Sequence, residues 1–169
     1  MTRGPAPLST AYLGIGSNVD SRRNISSGIR TLRAEFGDVA LSPVYQSVAV
    51  GFAGQDFLNL AARIQTAMQP LELKEFLNRL EDSHGRKRHL PKFSDRTLDI
   101  DILLYDDLYL HTPAIDLPRP EILHYAHVLR PLADLAPDLK HPVTGKTLHT
   151  HWQEFDGHGA VLKPIDFTA

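Results

Sequence analysis

The 169-residue chain is 42% apolar and 22% charged with a formal net charge of −2, which excludes wholesale disorder and a uniformly basic, polyanion-binding surface. It contains no cysteine, so disulfides, thiolate metal sites and cysteine nucleophiles are excluded as well. No apolar run reaches the roughly 18 residues of a membrane span, and the reading is a cytoplasmic protein without a membrane or nucleic-acid partner.

Residues 1–10 lack the apolar stretch of a signal peptide and read as a disordered lead-in, leaving 11–169 as a single domain with a Pro/His-rich C-terminal part from about residue 137. Tyr12–Gly16 is short, apolar and closed by the turn-prone Gly16-Ser17-Asn18, as a buried strand would be. Asp20 or Ser21 can cap a helix whose apolar positions Ile25, Ile29, Leu32 and Phe36 step by four and three, and Gly37 stands where a left-handed stop belongs. Val39–Val50 is rich in β-branched residues, is broken by Pro43, and suits an edge strand. Phe57–Gln65 predicts a further strand, with Gly51 and Gly54 loosening the connection to it.

Pro70 opens a second helix, where its missing N–H costs little; Leu73, Phe76, Leu77 and Leu80 form its inward stripe and Gly85 closes it. Thr97–Tyr105 is the clearest strand. Beyond Asp107, prolines at 113, 118, 120, 131, 137 and 142 punctuate short pieces, with a helix around Val128–Leu135. The order β-α-β-β-α-β is the ferredoxin-like, split βαβ pattern of an α+β fold: a mixed or antiparallel sheet with helices mainly on one face and the other face partly open.

The sharpest chemical signal is Arg96-Thr-Leu-Asp-Ile-Asp-Ile-Leu-Leu-Tyr105. Side chains alternate across a strand, so Leu98, Ile100, Ile102 and Leu104 share a core face while Thr97, Asp99, Asp101 and Leu103 take the other. Carboxylates two residues apart lie about 7 Å apart along a strand, a spacing suited to Mg²⁺ bound between protein carboxylates and phosphate oxygens. The plainer reading is a solvated acidic face, against which stands the depletion of Asp in strands and the repulsion of like charges on one face.

Just upstream, Gly85–Arg96 carries Arg86, Lys87, Arg88, Lys92 and Arg96. Such a loop is a solvated basic run, a weak nucleic-acid patch or, beside two aspartates, a phosphate-binding lid. Other phosphate motifs fail: Gly14-Ile-Gly16 has Val19 where a dinucleotide fingerprint needs its third glycine, and Gly145-Lys146-Thr147 has Lys140 where a P-loop needs its first. His149 and His151 could chelate a metal if extended, though two imidazoles alone rarely make a site, and Trp152 reads as an apolar anchor for the tail.

Together, Ala11-Tyr-Leu-Gly-Ile-Gly-Ser-Asn18, Phe57-Leu-Asn59 and the Arg96–Tyr105 segment resemble the 6-hydroxymethyl-7,8-dihydropterin pyrophosphokinase family of folate biosynthesis, over about Ala11 to Leu139. The resemblance implies transfer of pyrophosphate from ATP to the pterin hydroxymethyl oxygen, with release of AMP. It implies two Mg²⁺ ions on Asp99 and Asp101, with Arg86 and Arg96 serving the transferred group. Ser47, Val50, Phe57, Asn59, Phe93 and His127 match pterin-binding positions, Phe57 by stacking and Asn59 by hydrogen bonding. Asn78, Glu81, Arg88, Lys92, Ile102, Arg119 and Tyr125 match ATP-binding positions. From the residues alone, Phe57 is equally a core side chain, and Asn78 and Glu81 an exposed helix face.

The chain departs from the family pattern at Ser94 and Asp95, where a small residue and a proline are usual, and at Phe93, which replaces a lid tryptophan. It departs again at Arg119, which interrupts a Pro-His-Pro element, and at His124-Tyr125-Ala126-His127, which lacks an arginine and an aromatic. A divergent branch is implied, acting as a monomer or weak homodimer. The alternatives are a paralogous phosphoryl-transfer enzyme with a changed acceptor, and a non-catalytic pterin- or nucleotide-binding module.

Overall fold

The computed structural model describes residues 7–47, 56–85, 96–156 and 162–169. In chain order these form β1 (Ser9–Ser17), α1 (Ser21–Phe36), β2 (Ala40–Leu41), β3 (Val44–Ser47), β4 (Phe57–Thr66), α2 (Pro70–Ser83), β5 (Asp99–Tyr105), β6 (Leu110–His111), β7 (Asp116–Leu117), a 3₁₀ turn (Pro120–Leu123), α3 (Ala126–Leu135), α4 (Leu148–Gln153) and β8 (Leu162–Ile165). Six strands hydrogen-bond into one antiparallel sheet of order β5-β1-β4-β3-β8, with β2 also on β4; β6 and β7 form a separate hairpin. This is the α+β, ferredoxin-like arrangement expected from the sequence.

Alternation along the strands builds two cores. Ala11, Leu13 and Ile15 of β1 meet Ile25, Ile29 and Leu32 of α1 and Leu73, Leu77 and Leu80 of α2. Each fully buried Leu or Ile here contributes about 2 kcal/mol of transfer free energy. Tyr12, Ala61, Leu103 and Leu104 point the other way, where α3 and α4 cover part of the second face with Leu129, Leu132 and Leu148. The first helix keeps its predicted stripe and ends at Gly37 with φ 79°, but neither Asp20 nor Ser21 caps it by a side chain: Asp20 itself turns into the left-handed region, φ 42°. In α2, Gln69 and Glu72 form a capping box ahead of Pro70, reinforcing the start that proline alone suggested.

The lead-in expected to residue 10 ends sooner, because Ser9 and Thr10 already pair with Thr66 and Gln65 in β1, and two further expectations fail. The segment around Val44 is not at the sheet edge, because β8 pairs with β3 from Val44↔Ile165 to Ser47↔Leu162. Pro43 splits the expected strand into β2 and β3, and the unpaired side of β3 is covered by a segment more than a hundred residues away in sequence. Leu104, expected on the face of Leu98, Ile100 and Ile102, lies in the second core instead. The register slips between Tyr12↔Leu104 and Leu13↔Ile102, so Leu103 is an extra residue of a bulge and the alternation restarts after it.

Candidate active site

The antiparallel register lines up a row of side chains across the sheet: Tyr45 opposite Asn59, Asn59 opposite Gly16, and Gly16 opposite Asp99. The next row is Ala61, Gly14 and Asp101, and Ser47 faces Phe57 on the near side. Directly opposed residues share a face, and Ile100 and Ile102 occupy the helix-packed core. Asp99, Asp101, Asn59, Phe57, Ser47 and Tyr45 therefore all stand on the face that α1 and α2 leave free. Gly16 is what lets them converge: a Cβ there would lie 2.7 Å from Asn59 Oδ1, inside any tolerable contact. Asn59 Nδ2 reaches toward Ser47 Oγ at 3.4 Å, so the amide spans from β4 to β3 on the face that carries Asp99.

Polar contacts from both sides fix the start of β5. At the end of β1, Ser17 Oγ donates to the Thr97 carbonyl at 2.6 Å. Asn18 N–H donates to the Arg96 carbonyl at 3.0 Å, and Arg96 N–H donates to Asn18 Oδ1 at 2.7 Å. On the outer side, Ile100 N–H, between the two aspartates, donates to Glu81 Oε2 at 2.8 Å. Ser17, Asn18 and Glu81 are all buried. The backbone that carries Arg96, Asp99 and Asp101 is thus held by three side chains from two other elements.

Charge is unbalanced at this position. Burial, then the neighbouring Asp99, pushes the Asp101 carboxyl up to about 7; Glu81 and Glu121 add to the rise and Arg119 opposes it. Arg119 Nη2 lies 3.7 Å from Asp101 while its Nε pairs with Glu121 at 3.0 Å, so one guanidinium is shared between two carboxylates. Two carboxylates on one face, with more negative charge than their cationic neighbour offsets, suit a divalent cation that prefers oxygen ligands. Among the described residues no cluster of three or more His, Asp or Glu side chains is arranged to hold a metal, so an ion on this pair would take its other oxygens from water or phosphate.

Beside Asp101 opens a recess of about 300 Å³, lined among others by Lys74, Asn78, Asp101, Ile102, Thr112 and Arg119. Lys74 Nζ donates to the Ala114 carbonyl, tying α2 to the Thr112–Asp116 loop that closes the far wall. On the second face, burial lowers the pKa of the His127 imidazole while Asp99 raises it, which puts His127 within the field of the aspartate. Tyr125 packs beside it, ring centroids 5.3 Å apart.

The structure therefore brings together Ser47, Phe57, Asn59, Asp99 and Asp101 on one sheet face, with Arg96 at the start of β5 and His127 near Asp99. It sets Asn78, Ile102 and Arg119 around the adjoining recess. Val50, Arg86, Arg88, Lys92 and Phe93 lie outside the described residues. The exposed-face reading of Glu81 is overturned, since the residue is 3% exposed and its carboxylate accepts from a strand amide. The His149–His151 chelate is overturned too: both lie in α4, where residues two apart diverge, and His151 Nε2 is engaged by Thr144 Oγ1 at 2.6 Å. Trp152 is an anchor as expected, stacked on Phe155 and under the Arg130 guanidinium. Sequence reading assigned no role to Ser17 or Asn18, which entered only as a Gly-Ser-Asn turn and as the end of the Ala11–Asn18 stretch, or to Tyr45, Arg130 and Asp134.

The family model for 7,8-dihydro-6-hydroxymethylpterin-pyrophosphokinase (HPPK) matches residues 12–137. A 2-amino-4-hydroxy-6-hydroxymethyldihydropteridine pyrophosphokinase of Aquifex aeolicus is 36% identical over 143 residues, covering 83% of this chain and 89% of that protein. The Pseudomonas aeruginosa protein of the same name is 38% identical over 139 residues, covering 80% and 85%. In fold, the chain is similar to a crystal structure of Plasmodium falciparum HPPK-DHPS, with TM-score 0.69 and 13% identity, over 89% of this chain and 46% of that one.

Proposed function

The chain belongs to the 7,8-dihydro-6-hydroxymethylpterin-pyrophosphokinase family, and on that premise we propose that it transfers pyrophosphate from ATP to 6-hydroxymethyl-7,8-dihydropterin, releasing AMP. The observation that carries this reading at the level of the site is the shared face of Asp99, Asp101 and Asn59, with glycine at 16 leaving the room that the Asn59 side chain occupies.

The chain's own residues divide the work. Asn59 reads the polar edge of the pterin, and its partner Ser47 holds the amide in place. Phe57 offers a ring face from the same side of the sheet, and His127 offers the opposite one in place of a second aromatic. The recess beside Asp101 takes the nucleotide, with Asn78 and Ile102 on its wall and Arg119 directed at phosphate oxygens. Glu81 acts through the strand rather than on ATP, by fixing Ile100 between the two aspartates. Asp99 and Asp101 would hold Mg²⁺, which when bound supplies charge neutralisation along the phosphates. Arg96, joined on the strength of the family resemblance by Arg86, stabilises charge on the group in flight during in-line attack of the hydroxymethyl oxygen on the β-phosphorus. Arg88, Lys92, Phe93, Val50 and Tyr125 complete the two subsites on the same resemblance.

The test is direct: incubate the protein with ATP, Mg²⁺ and hydroxymethyl-dihydropterin and identify the nucleotide formed. AMP is expected. ADP means ordinary kinase chemistry, and ATP binding without turnover means a binding module; either result overturns the proposal.

A further inference from the structure

Tyr45 belongs to the same row as Asn59, Gly16 and Asp99, is 6% exposed, and has no part in the roles above. Its hydroxyl does not face the cleft. It donates to Asp134 Oδ2 and accepts from Arg130 Nε at 3.2 Å, both on α3. Arg130 and Asp134 are one helical turn apart and pair with each other at 3.2 Å. The Arg130 guanidinium lies 5.1 Å from the Trp152 ring centroid and 5.9 Å from that of Tyr45, so it joins α4, α3 and β3.

This cluster sits where α3 most needs an external tie. Pro131, inside α3, supplies no N–H to the carbonyl of His127, so the helix ladder lacks one bond at His127. Arg130 and Asp134 flank Pro131. His127 precedes Arg130 by three residues and so shares its helix face, toward the sheet. What holds Arg130 to Tyr45 therefore also sets the height of His127 above the row containing Asn59 and Asp99.

We propose that Tyr45, Arg130 and Asp134 form a positioning clamp that fixes the spacing between α3 and the sheet, and thereby the slot between His127 and Phe57 in which the flat acceptor is held. The inference rests on the reading of function above. The three residues touch no substrate. Stacking is favourable only over ring separations of about 4.5–7 Å, so a small outward movement of α3 weakens the acceptor site while leaving the nucleotide recess, built from α2, β5 and the 112–116 loop, as it was.

Tyr45→Phe removes one hydroxyl and keeps the buried ring. The expected result is a rise of about five-fold or more in the KM for the pterin, with kcat and the KM for ATP unchanged within about two-fold. Fluorescence titration of 6-hydroxymethylpterin, with a non-hydrolysable ATP analogue present, should weaken by the same factor. Asp134→Ala should reproduce the effect, and the double variant should do no worse than either single one, because both cut the same tie. Arg130→Lys keeps the charge without the planar fork and carries the same test should Tyr45→Phe lose its fold. An unchanged pterin KM, or equal losses for pterin and ATP, overturns the clamp. Wild-type protein that binds hydroxymethylpterin in a clamp-dependent way yet yields no AMP overturns the functional reading alone; wild-type protein that does not bind it overturns both.

Discussion

The two faces of the sheet are made from the same strands, yet one is built for stability and the other against it. On the helix-packed face, Ala11, Leu13, Ile15, Leu98, Ile100 and Ile102 interlock with α1 and α2. On the opposite face, one residue along each strand, stand Gly14, Gly16, Asn59, Asp99 and Asp101. Glycine and aspartate are poor strand residues, and like charges side by side repel. The alternation lets the apolar face hold the unfavourable one in shape. On β5 the boundary between acidic site and second core falls at the Leu103 bulge, after which both faces become apolar.

That contrast can be broken from either side. The largest effect is expected from Asp101→Asn: turnover falls about a thousand-fold or more while the melting temperature holds or rises, because burial and Asp99 already push this carboxyl toward its neutral form. A melting temperature lowered as far as by a core deletion would show that Asp101 supports the fold. Leu98→Ala is the converse, costing about 3 kcal/mol of unfolding free energy with the KM values little changed in the protein that remains folded. Gly16→Ala lies between, since its methyl group must displace Asn59: pterin KM should rise about ten-fold with a smaller loss of stability, and an unshifted KM would remove Asn59 from the acceptor site.

The smallest effect is a pH dependence away from both faces. Burial, then His151, holds the His141 imidazole below its ordinary range; burial, then Lys146, does the same for His151 against the opposing Glu154. The unfolded chain therefore binds protons more readily than the folded one as pH falls through the ordinary histidine range. Stability is full above that range and declines as pH drops toward the lowered folded values. His141→Asn keeps an acceptor for the Val143 and Thr144 amides and should flatten the decline in denaturant melts between about pH 8 and 5; an unaltered slope would assign the effect to other groups.

Legibility followed locality. β1, α1, β4, α2 and β5 announce themselves because each buries a stripe whose period is written in consecutive residues. β8 does not, since Leu162–Ile165 contains a Lys and a Pro and becomes a strand only by covering β3. Asp99 and Asp101 stood out because two acids on one strand face need a reason. Ser17 and Asn18 did not, as their partners lie nearly eighty residues further on, at Arg96 and Thr97. Glu81 looked like surface for the same reason: only the packing of α2 against β5 turns its carboxylate inward to a strand amide.

The C-terminal strand has a consequence beyond closing the fold. Every open sheet ends in rows of backbone groups able to recruit strands from other molecules. Here the outer row of β8 is blunted by Pro164, which lacks a donor, and by exposed Lys163. At the other rim, Glu81 takes up the Ile100 amide of β5. Both margins of the sheet thus discourage strand-wise aggregation, and removing Leu162–Ile165 would uncover Val44–Ser47 as an adhesive seam through which copies could polymerise.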